Sequence, residues 1–291
     1  MNNEKPLSLS IIIPAYNEAE IIKNVLEKLK NELSGLSSLV YEIIVVNDCS
    51  TDDTKKIVAE INGIKLINHP FNKGYGASIK TGAKNARYDW LLFFDADDQH
   101  KPEYITKLVG QASDADMIVG AREGYKGPWI RQPGKKVLIW LANYLVNFKI
   151  PDLNSGLRLV KKDLFFRYIH LYPNNFSLST TITLSFIKEG LTVKYVPITI
   201  NKRVGKSTVK PRHAFDTLAL ITRMIVLFSP MKFFLPFNLV FLLLFLFFIG
   251  YDIVHADLSN TSVILFISTI LIFFFSVMLD QIAAIRREIN K

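Results

Sequence analysis

The chain has 291 residues, of which 49% are hydrophobic and 21% charged, with one cysteine and a formal net charge of +9. That charged fraction excludes a disordered chain, 14 glycines exclude a collagen-like one, and Cys49 alone excludes a disulfide framework or a cysteine-rich zinc site. A mean hydropathy of +0.22 is high for a water-soluble domain of this length, so part of the chain is expected in lipid.

Over residues 1–200, short apolar runs alternate with helical stretches, the pattern of an α/β domain with a mostly parallel sheet. Strands are expected at residues 7–13, 41–46, 64–68, 90–94 and 116–119. The first apolar run stops at Pro14 without a small-residue cleavage site and does not read as a signal peptide. Asn17 with Glu20, and Ser50 with Asp53, read as capping boxes at two helix starts. Parallel sheets bind ligands at the carboxyl ends of their strands, so functional residues are expected just after Ile13, Val46, Asn68 and Phe94.

Residues 211–230 place Phe215, Leu218, Ile221, Ile225 and Phe228 at helical spacing, with Arg212, Asp216 and Arg223 between them. Such a helix lies in a membrane interface or packs on a core. Residues 233–250 and 262–279 carry no charge, and ~18 residues at ~1.5 Å rise just span a bilayer core. Pro236 is expected in the first turn of its span, where proline is tolerated. The connection 251–261 has two Asp and no Lys or Arg, whereas Lys232, Arg286 and Arg287 flank the pair. The positive-inside rule then sets a multi-pass hairpin in the cytoplasmic membrane, with both termini and the α/β domain on the cytoplasmic side. Charges balance beyond residue 230, so the whole excess lies in residues 1–230. That points to anionic partners such as phosphorylated small molecules or headgroups. The basic segments lack interleaved aromatics, which argues against nucleic acid. The expected domains are 1–208, an interfacial segment 209–231 and a hairpin 232–291.

Residues 91–100 read LLFFDADDQH, an apolar strand ending abruptly in Asp95, Asp97 and Asp98. Residues two apart share a face of a continuing strand, and carboxylates that close repel unless a cation sits between them. Mg²⁺ and Mn²⁺ take oxygen ligands and keep positions open for phosphate oxygens. A solvated acidic turn with Asp98 as a helix cap explains the spacing equally well.

Four segments in order, IIIPAYNE (11–18), VNDCSTDDT (46–54), NKGYGASIKTGA (72–83) and FFDADDQHKPE (93–103), together resemble family 2 glycosyltransferases of the GT-A fold. Within that family, DADDQHKPE, DLNSGLR (152–158) and the C-terminal pair of spans are most similar to dolichol-phosphate mannose synthases and bacterial polyprenyl-phosphate glucose synthases. The resemblance implies that Pro14, Tyr16, Glu18, Asp95 and Ala96 line a nucleotide-sugar pocket, and that Asp48 accepts a hydrogen bond from the base. It puts Lys80 and Gly82 on a glycine-rich stretch where the lysine reaches a phosphate or ribose. Asp95, Asp97 and Gln99 would hold Mg²⁺ or Mn²⁺, with Asp97 as the central catalytic ligand. Arg122, Arg131, Arg203 and Lys206 would position a second phosphate. Asp152 would order the acceptor loop, orient Arg158 or act as a base. The sequence departs from the family pattern at Asn47 (usually Asp), Cys49 (usually Gly) and Thr208 (usually Lys).

The implied reaction is metal-dependent, inverting transfer of a hexose from a UDP- or GDP-sugar to a polyprenyl phosphate at the cytoplasmic membrane face. The chain would work with a membrane and in a possible homo-oligomer. An anionic phosphate acceptor needs no strong general base. Transfer to another lipid or glycan is the alternative, although the absence of Q-x-x-R-W argues against a processive synthase. The three departures leave room for a non-catalytic nucleotide-binding scaffold. The partial G-x-G in GYGASIKTG follows a loop and lacks an acidic ribose partner, which argues against a dinucleotide oxidoreductase. His69, His100, His170 and His213 show no metal-ligand spacing and are expected to be bystanders.

Overall fold

The structure, a computed structural model, describes residues 7–36, 39–124, 132–201 and 213–288. They fall into two units, Met1–Lys135 with Lys149–Lys210, and Lys136–Phe148 with Pro211–Lys291.

The first unit is built on a seven-stranded sheet: β1 (Leu7–Ala15), β2 (Leu39–Asn47), β3 (Ile64–Asn68), β4 (Trp90–Phe93), β5 (Met117–Arg122), β6 (Arg158–Lys161) and β7 (Val193–Ile198), in the order β3-β2-β1-β4-β6-β5-β7. β6 runs antiparallel to both neighbours and the other pairings are parallel. Ile11, Ile12 and Ile13 are all fully buried, as are Ile44, Val45 and Val46, because a parallel sheet is covered on both faces. Helix α1 (Ile22–Ser34) buries Ile22, Val25, Leu26, Leu29 and Leu33, one stripe at three- to four-residue spacing. Helices α2 (Thr54–Ala59), α3 (Tyr75–Lys84), α4 (Tyr104–Val109), α6 (Lys162–Arg167) and α7 (Leu178–Lys188) also belong to this unit.

The five expected strands are present, β3 with the expected bounds and the other four with shifted ends. β6 and β7 escaped the sequence reading for physical reasons. β6 has four residues, too few to show a period, and β7 contains Pro197, which an edge strand tolerates.

The capping boxes do not form, since neither α1 nor α2 has a side-chain cap. Asn17 sits at φ +56°, five residues ahead of α1, and its side chain turns to the neighbouring loop. Asn17 N donates to Ser50 Oγ (3.0 Å) and Thr51 N donates to Asn17 Oδ1 (2.8 Å). Glu18 N donates to Thr54 Oγ1 (2.9 Å) and Ala19 N to Asp52 Oδ2 (3.0 Å). The polar residues after β1 and β2 therefore stitch two loops together at the carboxyl edge of the sheet.

The second unit contains most of α5 (Gln132–Val146), then α8 (His213–Phe228), α9 (Pro230–His255) and α10 (Asn260–Glu288). α9 and α10 have 26 and 29 residues, longer than the expected spans, and only residues 256–259 connect them. Pro230 takes the first helical position, so Pro236 lies inside α9 rather than in its first turn. A proline there leaves the carbonyl four residues back, that of Lys232, without its helical donor. Tyr144 Oη donates to that carbonyl (2.9 Å). Asn238 Nδ2 ties α9 to the Thr269 carbonyl of α10 (2.7 Å), and Asp252 Oδ2 closes the turn by accepting from Ser259 N (3.0 Å) and Ser259 Oγ (2.8 Å). The amphipathic stretch is α8, with Met224, Ile225, Leu227 and Phe228 buried and Arg223 exposed. The boundary expected at 208/209 lies outside the described residues.

Candidate active site

Among the described residues, three non-glycine residues adopt left-handed backbone in the first unit's loops, one after each of β1, β2 and β4: Asn17, Cys49 (φ +61°) and Asp98 (φ +56°). Such conformations cost about 1–3 kcal/mol each and concentrate where a loop must present groups to a ligand. Cys49 holds a left-handed backbone at the position where the family pattern has glycine, so the departure is accommodated by strain rather than by a change of turn.

β4 stops at Phe93, so Asp95 and Asp97 do not share a strand face as their spacing suggested. Asp95 Oδ1 accepts from Tyr75 Oη (3.1 Å), and Oδ2 lies 3.4 Å from His100 Nε2. Burial alone would raise the Asp95 carboxyl. Hydrogen bonding to His100 and Tyr75, with the Arg122 charge nearby, holds it below the usual range. Gly156 faces this carboxylate so closely that a Cβ there would overlap it. Asp97 is buried and its Oδ1 accepts from Gln99 N (3.2 Å), while Ala96 between them is buried. Asp98 caps no helix and pairs instead with Lys28 Nζ (3.0 Å). Asn201 anchors the turn from the other side, N to the Gln99 carbonyl (2.9 Å) and Nδ2 to the Asp98 carbonyl (3.1 Å).

The donors of Asp95, Asp97 and Gln99 are all oxygens, which suits a hard divalent ion. Among the described residues no group of three or more His, Cys, Asp or Glu side chains converges. Three side-chain oxygens would leave other positions of such an ion open to phosphate oxygens.

Asp152 is spent on Arg122 rather than on Arg158. Its Oδ2 accepts from Arg122 Nε (2.6 Å) and N (3.2 Å), and Oδ1 from Arg122 Nη2 (2.9 Å) and Asn154 N (3.1 Å). Four donors fill the acceptor capacity of a carboxylate. Burial would raise this carboxyl, but the Arg122 guanidinium outweighs it and holds the group low. Arg158 is fully buried and donates to the Ser155 carbonyl (3.1 and 2.7 Å), the Ser179 carbonyl (2.9 Å) and Thr183 Oγ1 (3.1 Å), each an uncharged acceptor.

After β2, Asp48 organises the chain itself. It lies 2.7 Å from His69 Nδ1 and accepts from Lys73 N and Gly74 N, both at 2.8 Å. His69 Nε2 continues to Thr81 Oγ1 (2.9 Å). One lone pair of Asp48 Oδ2 is left for a further donor. Asn47 uses the donor an aspartate would lack, giving Nδ2 to Asn68 Oδ1 (2.9 Å) and accepting from Ser50 N (3.1 Å). Pro14 pairs with Val46 near the end of β1, Ala15 with Asn47 closes the pairing, and Tyr16 presents an exposed ring just beyond it, ahead of Glu18.

The glycine-rich stretch serves packing. A Cβ at Gly82 would strike Ile12 of β1, and Gly74 and Gly76 let the backbone of residues 173–175 approach α3. Ala77 N donates to the Asn174 carbonyl (3.1 Å), and Lys80 Nζ to the Tyr172 carbonyl and Asn174 Oδ1 (2.8 Å). The start of α3 is thus covered by the chain's own carbonyls. Arg131, Arg203 and Lys206 lie outside the described residues. The sequence reading missed His69, His100 and Tyr75. Position was the available signal for the two histidines, since each follows a strand's carboxyl end.

A mostly parallel sheet with an acidic turn after its central strand is a GT-A domain, followed here by an apolar hairpin. Glycosyl transferase family 2 matches residues 10–168 and the GtrB C-terminal hairpin matches residues 229–285. The chain belongs to glycosyl transferase family 2. It is 30% identical over 230 residues to a dolichol-phosphate mannosyltransferase of Pyrococcus furiosus, covering 75% of this chain and 64% of that one. An undecaprenyl-phosphate 4-deoxy-4-formamido-L-arabinose transferase of Aeromonas hydrophila is 32% identical, over 56% of this chain and 52% of that one. The chain thus spans between half and two thirds of these relatives' length. Among solved structures, glucosyl-3-phosphoglycerate synthase of Mycobacterium tuberculosis, in complex with Mn²⁺, UDP and glucosyl-3-phosphoglycerate, matches with a TM-score of 0.57 at 18% identity, over 76% of this chain and 78% of that one. That likeness shows the fold.

Proposed function

We propose that the chain is a membrane-anchored enzyme that transfers a hexose, with inversion, from a UDP- or GDP-sugar to a polyprenyl phosphate at the cytoplasmic membrane face. The state of Asp152 carries the choice of acceptor. A hydroxyl acceptor needs a general base to take its proton, and the candidate for that role, Asp152, is filled by four donors. A phosphate acceptor is already anionic. Its oxygen forms the new bond to the sugar's anomeric carbon as the bond to the nucleoside diphosphate breaks, with no proton to remove. The relatives named for dolichol-phosphate and undecaprenyl-phosphate substrates, and the hairpin of α9 and α10, support the same reading.

Asp95, Asp97 and Gln99 would hold Mg²⁺ or Mn²⁺, which when bound neutralises the diphosphate leaving group. Tyr75 and His100 fix Asp95, and Gly156 leaves it room. Asp152 fixes Arg122, a cation for the second phosphate, with Arg131, Arg203 and Lys206 as further candidates. Tyr16 and the open lone pair of Asp48 would receive the base. Lys232, Arg286 and Arg287 at the outer ends of the hairpin support cytoplasmic termini.

The test is to incubate the purified full chain with polyprenyl phosphates and a panel of radiolabelled UDP- and GDP-sugars, and to identify the product by mass spectrometry. A labelled polyprenyl-phosphate sugar of inverted anomeric configuration is expected. Label found only on a hydroxyl-bearing lipid or glycan refutes the acceptor assignment.

A further inference from the structure

Phe176 is 77% exposed, yet it is not on a loose loop. Its ring stacks on Tyr75, with centroids 5.4 Å apart and planes inclined by 19°. Residues 172–177 are held on both sides. Lys80 Nζ donates to the Tyr172 carbonyl and to Asn174 Oδ1, and Ala77 N donates to the Asn174 carbonyl. Asn175 Oδ1 accepts from Ser177 N (3.2 Å), and Leu178 N donates to the Asn175 carbonyl (3.2 Å). Gly74 and Gly76 lack the side chains that would push this loop away. The chain thus fixes a large apolar ring in place while leaving one face bare, a preorganised surface whose ordering cost is met before any ligand arrives.

We propose that the bare face of Phe176 is the platform on which the transferred sugar stacks, and that it helps set which sugar is accepted. The proposal rests on the nucleotide-sugar reading above and adds a residue that no sequence motif marked. Phe176 lies on Tyr75, and Tyr75 Oη lies on Asp95. The sugar of a nucleotide sugar is bonded to the diphosphate that Asp95 would serve, so it would lie beside this stack. The C–H bonds on one face of a pyranose carry partial positive charge, and an aromatic face carries partial negative charge. Such stacking favours a hexose whose facing side carries only C–H bonds. An epimer with an axial hydroxyl there would press an unpaired polar group onto the ring.

The experiment uses the full chain in detergent with Mn²⁺. Dissociation constants are measured for UDP-glucose, GDP-mannose, UDP and GDP with the parent chain, Phe176→Ala and Phe176→Trp. Phe176→Ala is expected to weaken the bound nucleotide sugar about tenfold, the scale of one aromatic contact, and to leave the bare nucleotide unchanged. Phe176→Trp is expected to restore affinity. Equal weakening of sugar and bare nucleotide marks a loop-folding role and overturns the proposal, as does no change in either. If the parent chain binds neither nucleotide sugar, the donor reading itself has failed. If it binds one and Phe176→Ala does not discriminate, only the platform is wrong.

Discussion

Gly156→Ala adds one methyl group to the candidate site. The backbone of Gly156 lies outside the left-handed region, so alanine brings no backbone strain there. Shortening the list of unfolded conformations would by itself stabilise the chain by about 0.4–1 kcal/mol. The methyl carbon, however, would stand 2.7 Å from Asp95 Oδ1 and nearer still to Oδ2, where ordinary contact begins at 3.4 Å. The nearer oxygen, Oδ2, would have to retreat by about 1.5 Å, against Tyr75 on one oxygen and His100 on the other. A displacement of about 1 Å at a reacting centre costs about 10²-fold in rate. Gly156→Ala is therefore expected to melt near the parent temperature while kcat falls about 10²-fold and Mn²⁺ binding, followed by electron paramagnetic resonance in the presence of nucleoside diphosphate, weakens. Parent-like turnover together with parent-like Mn²⁺ binding would refute the placing of Asp95 at the metal.

Three other outcomes are expected. Asp97→Ala should abolish transfer, and EDTA should do the same to the parent chain until Mg²⁺ or Mn²⁺ is restored; full turnover in EDTA would remove the metal from the scheme. Asp152→Asn breaks a buried pair and should cost about 3 kcal/mol at neutral pH. Because the folded-state pKa of Asp152 is held low, its contribution is full above the ordinary carboxylate range and is lost as the pH falls through the lowered value. The gap in thermal stability between parent and variant should therefore close in acid, and a gap that widens there contradicts the pairing. Cysteines at Ser259 and Asn290 in a Cys49→Ser chain should label from opposite sides of oriented vesicles, since same-side labelling is incompatible with the hairpin.

Much of the frame was legible in the sequence. Buried parallel strands must be apolar on both faces, so Ile11–Ile13 and Ile43–Val46 announce themselves as runs, and the abrupt Asp95, Asp97 and Asp98 mark where β4 gives way to the candidate site. The uncharged stretches announce the hairpin because a lipid-facing helix has no polar side to conceal. These are properties of short segments, and they survive in one dimension.

Partner choice among polar groups does not survive in that way. Asn17 and Ser50 carry sound local cap signals, yet they bond to each other's loops because two adjacent parallel strands deliver those loops side by side. Asp152 was free by sequence to take Arg158, six residues away. Folding instead brings it Arg122, from 30 residues away, and buries Arg158 among carbonyls. Tyr75 from the start of α3, and His100 and Gly156 from two separate loops, meet at Asp95, and nothing in their own surroundings in the chain foretells it. The sequence by itself determined which segments are strands, helices and spans, because periodicity and transfer energy are local. Only the tertiary structure decided which donor fills which acceptor, because a buried polar group must pair with whatever the packing of distant segments sets beside it.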